Sequence, residues 1–286
     1  MQIGLVPINV GFSDPEIVCS FASKAEEVGL ESVFTFEHVI VPAEYASRYP
    51  YHAKGKMGAT PETPFLDPLI ALAFVAGATK RIRLGTGVNI LPQTNALLAA
   101  KQVASLDCLS GGRVLYGVGV GWLKEEFEAL GVPFEHRGRR FDDYLVAMKK
   151  VWSGELVEHE SEFVHWHGFK SYPTPKQRPH PHLIVGGTSD AAYNRVARHA
   201  DGWIAPNQNA EDLERMLGRL REVVRAAGRD PAQISVTAMW VPSKEPDALS
   251  RYEDLGVERL IAPLFGLPGG SPLEGIERLG ELAAKR

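Results

Sequence analysis

Short apolar runs rich in β-branched residues alternate along this chain with longer stretches whose apolar positions recur at helical spacing. That alternation is the pattern of βα units feeding a parallel sheet. The runs that read as strands are Gln2–Val6, Ser32–Phe36, Ile82–Val88, Val114–Val118, His182–Val185, Gly202–Ala205, Ile234–Val241 and Glu258–Ala262. Apart from the last few residues they read as strands buried on both faces. Ser13-Asp14-Pro15-Glu16 has the S-x-x-E spacing of a capping box with proline in the first turn. Ile17, Val18, Phe21, Ala22, Ala25 and Val28 then form one apolar stripe before Gly29 stops the helix. Further helices are expected from Asp67-Pro68 through Ala78, from Asn95 to Gly111-Gly112, and over Arg137–Trp152, Ser189–His199, Ala210–Ala227, Pro246–Leu255 and Pro272–Lys285. Eight strands and eight helices in strict alternation predict an α/β fold, a closed (β/α)8 TIM barrel rather than an open doubly wound sheet.

Two segments stand outside the repeat. Ile40 to Thr63, rich in Pro, Tyr and Gly, follows the second strand. A βα connection emerges at the carboxyl end of the barrel, where such folds build their sites, so this insertion is a candidate substrate lid. Ser153 to Pro181 precedes the fifth strand, with Glu155-Leu156-Val157 and Phe163-Val164-His165-Trp166 as possible hairpin strands. It lies on an αβ connection and by chain order enters from the other end.

Composition narrows the functional classes. The 286 residues are somewhat above the ~250 typical of one barrel, so a single domain over 1–286 is expected. With 44% hydrophobic and 23% charged residues the chain can bury a large core. A net charge of −4 supplies no broad cationic field, which argues against nucleic acid as the main partner. No positive segment followed by a long apolar stretch opens the chain, and no run approaches the ~18 apolar residues of a membrane span. A cytoplasmic protein without membrane attachment is expected. Cys19 and Cys108, set among apolar helical neighbours, read as two buried thiols rather than a disulfide.

In a barrel the chemistry gathers at the carboxyl ends of the strands. The second strand ends Phe34-Thr35-Phe36-Glu37-His38, where a carboxylate and an imidazole can move a proton or hold a polar ring edge, or form an exposed ion pair at a loop start. The third ends Leu84-Gly85-Thr86-Gly87-Val88-Asn89 and the fourth Tyr116-Gly117-Val118-Gly119-Val120-Gly121-Trp122. Adjacent glycines of this kind let a flat ligand or another backbone approach, or serve a tight barrel corner. No G-x-G-x-x-G can be written there, which weakens a dinucleotide-fold reading. The fifth strand runs into Gly186-Gly187-Thr188-Ser189-Asp190 and a helix, a plausible anion site or an ordinary capped turn. His165, His167, His180 and His182 invite a metal reading, but no cysteine or acidic cluster accompanies them, and no metal is expected. The nucleophile elbow G-x-S-x-G and the phosphate loop G-x-x-x-x-G-K-[ST] are both missing from the sequence.

Several segments together resemble the luciferase-like monooxygenases and their deazaflavin-dependent relatives: Phe36-Glu37-His38, Arg81-Ile82-Arg83-Leu84-Gly85-Thr86-Gly87-Val88, Ser110-Gly111-Gly112-Arg113-Val114 through Trp122, Arg139-Arg140-Phe141-Asp142-Asp143, Pro181 through Gly187, and Ala200-Asp201-Gly202-Trp203. The resemblance spans most of the chain and implies a flavin or deazaflavin ring at the carboxyl mouth. It implies a non-proline cis peptide at Gly87-Val88 supporting the ring face, next to Thr86. It further implies Glu37 on the polar pyrimidine edge, Gly117 and Gly119 lining the ring, and Gly186, Gly187, Thr188 and Ser189 on the phosphate. His38 would face the substrate as proton donor or acceptor. The chain is most similar to the branch using coenzyme F420, which implies hydride exchange between the deazaflavin C5 and a small organic substrate. The alternatives are an FMN-dependent monooxygenase served by a separate reductase and a flavin-binding protein without turnover. A carboxylate follows the strand-four glycines in the sugar-phosphate dehydrogenases of the family. Trp122 stands there in this chain and points to an apolar or aromatic substrate. The resemblance also implies a homodimer.

Overall fold

A computed structural model describes residues 1–207 and 209–284. In chain order its elements are β1 (Gln2–Val6), α1 (Pro15–Glu27), β2 (Ser32–Thr35), α2 (Pro68–Ala78), β3 (Arg83–Thr86), β4 (Asn89–Ile90), α3 (Ala96–Leu109), β5 (Val114–Gly119), α4 (Lys124–Ala129) and α5 (Arg137–Ser153). There follow β6 (Val157–Glu160), β7 (His165–Phe169), β8 (His182–Gly186), α6 (Asp190–His199), β9 (Gly202–Ala205), α7 (Ala210–Ala226), β10 (Ser235–Met239), α8 (Leu249–Asp254), β11 (Arg259–Pro263) and α9 (Pro272–Ala284). The parallel strands run β3-β2-β1-β11-β10-β9-β8-β5, and β3 pairs with β5 to close the barrel. This is the predicted (β/α)8 barrel, and its strands are buried along almost their whole length.

The boundaries differ in places for physical reasons. Asp14, not Ser13, caps α1: its carboxylate accepts from the Glu16 and Ile17 N–H groups. The expected third strand stops at Thr86, where the Gly87-Val88 peptide is cis, and pairing resumes in β4 against β5. The strand expected over 234–241 is trimmed to β10, and the helix expected over 246–255 to the shorter α8. The hairpin of the second insertion is β6–β7, shifted by a few residues from the expected strands. Lys285, the expected end of the last helix, lies outside the described residues. Cys19 and Cys108 are free as expected but half-buried rather than buried, and the Cys108 thiol lies 3.0 Å from the Thr174 carbonyl oxygen. α4 was not foreseen.

Two apolar layers hold the barrel. The larger packs helices against the outer faces of the strands, with Trp152, Trp203, Trp240 and Phe141 fully enclosed. The smaller fills the interior with Val6, Phe34, Leu115, Ile184, Ile204 and Ile261, bordered by Phe36, Val88 and Met239. The amino end is sealed by Arg259, whose guanidinium is fully buried and bonds Glu31 at 2.6 and 2.8 Å, Gln2 at 2.8 Å and Thr237 at 3.3 Å. A charge so enclosed is tolerable only when paired and hydrogen-bonded in this way. With the floor sealed by ions and the middle by hydrocarbon, ligand chemistry is left to the carboxyl mouth. Among the described residues no helix is long and apolar enough to cross a membrane.

Candidate active site at the carboxyl mouth of the barrel

The first insertion crosses the mouth and is tied down at four places. Asn9, fully buried just past β1, donates through Nδ2 to the Phe36 carbonyl (2.8 Å) and the Leu66 carbonyl (2.7 Å), and its Oδ1 accepts from the Phe36 N–H at 3.0 Å. One amide thus clamps both ends of the segment. Its root is held by Glu126 on α4, whose Oε1 accepts from the Val39 N–H (2.6 Å) and the Ile40 N–H (3.3 Å). Its middle is held by the neighbouring Glu125, which accepts from the Ala46 N–H (2.7 Å) and the Ser47 N–H (3.1 Å). α4 therefore works as a two-pronged anchor for the segment.

A chain of rings joins this segment to the strand ends. Trp122 meets His38 edge to face at 5.9 Å, Tyr45 at 5.8 Å and Tyr49 at 5.2 Å. Phe65 meets the His38 ring at 5.6 Å, and Tyr49 continues to Tyr51. Edge-to-face contacts of this kind add modest energy and fix ring orientation. His38 itself keeps 13% of its side-chain surface accessible, and its Nδ1 lies 3.2 Å from Glu126 Oε2.

Glu37 faces β4. Its carboxylate accepts from Asn89 Nδ2 at 2.9 and 3.1 Å and from the Ile90 N–H, and Asn89 Oδ1 in turn accepts from the Tyr116 hydroxyl at 2.7 Å. Burial pushes the Glu37 carboxyl up to about 8. The Ile90 N–H opposes the shift, the Asp67 and Glu126 charges add to it, and the Asn89 amide opposes it again. At neutral pH Glu37 is therefore largely a neutral acid with a proton to donate.

Gly87-Val88 has the cis geometry that the resemblance implies. The glycines around it answer to protein atoms: a Cβ on Gly117 would collide with the Thr86 carbonyl, and one on Gly119 would stand 2.6 Å from Val88 Cγ2. Thr86 adds a hydroxyl that donates to the Gly117 carbonyl at 2.6 Å. Gly117 and Gly119 thus seat Val88 at the mouth, and the flat wall is built of Val88 rather than of the glycines themselves. Gly186 lies on the other side of Val88, and Gly187, at φ +109°, turns the chain into α6. Ser189 caps that helix, its Oγ accepting from the Ala192 N–H at 3.2 Å, and Thr188 is half-buried beside it. The first N–H groups of α6 have no carbonyl of their own helix to bond, which suits an anion.

The structure divides the remaining histidines. His165 and His167 both contact Glu160 on the exposed hairpin at 2.6 and 3.1 Å, whereas His182 bonds Ser235 at the barrel floor. Among the described residues no group of three or more His, Cys, Asp or Glu suited to a metal ion occurs.

The sequence profile of the luciferase-like monooxygenases matches residues 13–264. The chain belongs to the luciferase-like monooxygenase family. Within this family an uncharacterized Mycobacterium tuberculosis protein is 32% identical over the whole chain and 98% of its own length. The F420-dependent glucose-6-phosphate dehydrogenase of Kineococcus radiotolerans is 32% identical over 87% of this chain and 69% of its own. The FMNH2-dependent dimethylsulfone monooxygenase of Pseudomonas putida is 32% identical over 57% of this chain and 46% of its own. Among solved structures, an F420-dependent secondary alcohol dehydrogenase superposes with a TM-score of 0.76 at 15% identity over 98% of this chain and 97% of its own, a likeness of fold. The luciferase-like relatives thus use either deazaflavin or flavin, and a flavin-type cofactor is supported for this enzyme family member.

Sequence reasoning reached Glu37, His38, Thr86, Gly87, Val88, Gly117, Gly119 and Gly186 to Ser189, and the structure gathers them at the ends of β2, β3, β5 and β8. It missed Asn9, Asn89, Glu125 and Glu126. The signal for the last two is slight: Leu123 and Phe127, both buried, frame Glu125-Glu126 at helical spacing.

Proposed function

We propose that the chain is an F420-dependent oxidoreductase that exchanges a hydride between the deazaflavin C5 and a small organic substrate at the barrel mouth. The observation that carries this reading is the accessible His38 imidazole braced by a buried carboxylate, since hydride exchange with an alcohol or carbonyl needs a proton partner. The F420-using relative, matched along most of this chain, supports the choice of cofactor. When bound, the deazaflavin ring supplies a two-electron hydride acceptor or donor. Val88 would support its face, Glu37 would donate its carboxyl proton to the polar edge, and Gly186 to Ser189 would take the phosphate. The residues fit the group: a Cβ on Gly119 would press on Val88, and one on Gly117 would collide with the Thr86 carbonyl that leads into the Gly87-Val88 peptide.

The rings around Trp122 favour an apolar or aromatic substrate over a sugar phosphate. A homodimer in the cytoplasm belongs to the same reading. The second reading, an FMN-dependent monooxygenase supplied by a separate reductase, is favoured by the dimethylsulfone monooxygenase relative. The test is anaerobic turnover with F420 and a panel of alcohols, ketones and enones, comparing wild type with His38→Ala. The reading expects turnover without oxygen, lowered about 100-fold in the variant with cofactor affinity within a few-fold. Turnover that requires oxygen and reduced FMN contradicts it.

A further inference from the structure

Glu126 is 88 positions from His38 in the chain, and its side chain is only 1% exposed. Both of its oxygens are engaged. Oε1 accepts from the Val39 and Ile40 N–H groups, while Oε2 accepts from Gln93 Nε2 at 3.0 Å and faces His38 Nδ1 at 3.2 Å. Burial pushes this carboxyl up, but the hydrogen bonds from His38, Gln93 and the Val39 N–H outweigh burial and hold it below the ordinary glutamate value. An ionised carboxylate can only accept, so the imidazole nitrogen facing it carries the hydrogen. The neutral ring then has its lone pair on Nε2, on the side away from Glu126. Phe65 and Trp122 stand edge to face against the same ring and limit its rotation.

We propose that Glu126 is a positioning residue that fixes His38 as the Nδ1–H tautomer and so presents Nε2 to the substrate as proton acceptor or donor. An imidazole oriented through one nitrogen works through the other. In the oxidation of an alcohol to a carbonyl, the hydroxyl proton would pass to Nε2, while the hydride leaving the carbon needs the two-electron acceptor that a bound deazaflavin would supply. In the reverse direction Nε2–H returns that proton. Glu126 also holds the Val39 and Ile40 N–H groups, so one side chain fixes both the imidazole and the root of the segment. The inference rests on the proposed function for the substrate proton, but the tautomer is a property of the protein alone.

The test is therefore made first on cofactor-free protein. Nitrogen-15 spectra of histidine-labelled wild type report which ring nitrogen bears hydrogen, and the His38 signal among the nine histidines is the one absent from His38→Gln. The Nδ1–H tautomer is expected in wild type and in Glu125→Gln, with a shift toward Nε2–H in Glu126→Gln. An Nε2–H tautomer in wild type overturns the proposal even where Glu126→Gln fails to fold, and so does an unchanged tautomer in a folded variant. In turnover with the ring cofactor the protein binds, Glu126→Gln is expected to lower kcat at least about tenfold with cofactor affinity within about threefold. Unchanged kcat, or a parallel loss of cofactor binding, overturns the positioning role. Failure to bind F420 leaves the spectra interpretable, so the two claims fail separately.

Discussion

Glu37 links folding to pH in a direction opposite to that of an ordinary salt-bridged carboxylate. Its folded-state value of about 8 lies well above the ordinary 4.5. Between those values the native chain keeps a proton that the unfolded chain has lost. The stabilisation is then fully present below the unfolded value and is lost as pH rises through the folded one. Within that window the slope is about −1.4 kcal/mol per pH unit, or roughly 3 kcal/mol between about pH 5.5 and about pH 7.5. His182 and His199, both lowered chiefly by burial, contribute with the opposite sign, so the informative quantity is a difference. Glu37→Gln keeps an acceptor for the Ile90 N–H and cannot ionise. Urea unfolding of cofactor-free wild type and variant across this range cancels the histidine contributions. Wild type should lose stability relative to Glu37→Gln by about 1.4 kcal/mol for each unit of rising pH. Parallel curves would refute the reasoning, because they would mean that Glu37 is ionised throughout.

Asn9→Ala removes three hydrogen bonds and leaves the Phe36 and Leu66 groups without their partner. It should cost about 2–4 kcal/mol in chemical denaturation and speed proteolytic cleavage within residues 40–63. Gly117→Ala drives a Cβ into the Thr86 carbonyl and shifts the Gly87-Val88 shelf. A loss of about 1–3 kcal/mol or more is expected in thermal and urea unfolding, together with loss of cofactor binding in a fluorescence titration.

The barrel was legible because its strands are buried on both faces, which leaves short apolar runs such as Leu183 to Val185. Chain direction at the ends of those runs was legible too, since Glu37 and His38 interrupt an apolar run where a strand must stop. The supports of the site were not. Asn9 is one amide in an apolar stretch, and its value comes from Phe36 and Leu66, 27 and 57 positions away. Glu126 sits in an acidic pair that reads as a solvated helix face, and only the closed barrel brings it to His38. Apolarity continues through Val88, so pattern alone extends the third strand past the point where its pairing ends. Cys19 and Cys108 have apolar sequence neighbours, yet each lies at the edge of a helix face rather than at its centre, which leaves it half-buried.

The central claim is that the mouth holds a deazaflavin in preference to a flavin. It is tested most directly by titrating ligand-free protein side by side with coenzyme F420 and FMN, following quenching of tryptophan and cofactor fluorescence. Saturable F420 binding at least about tenfold tighter than FMN binding, a difference of about 1.4 kcal/mol, is the result expected. Preferential FMN binding, or binding of neither, would contradict it.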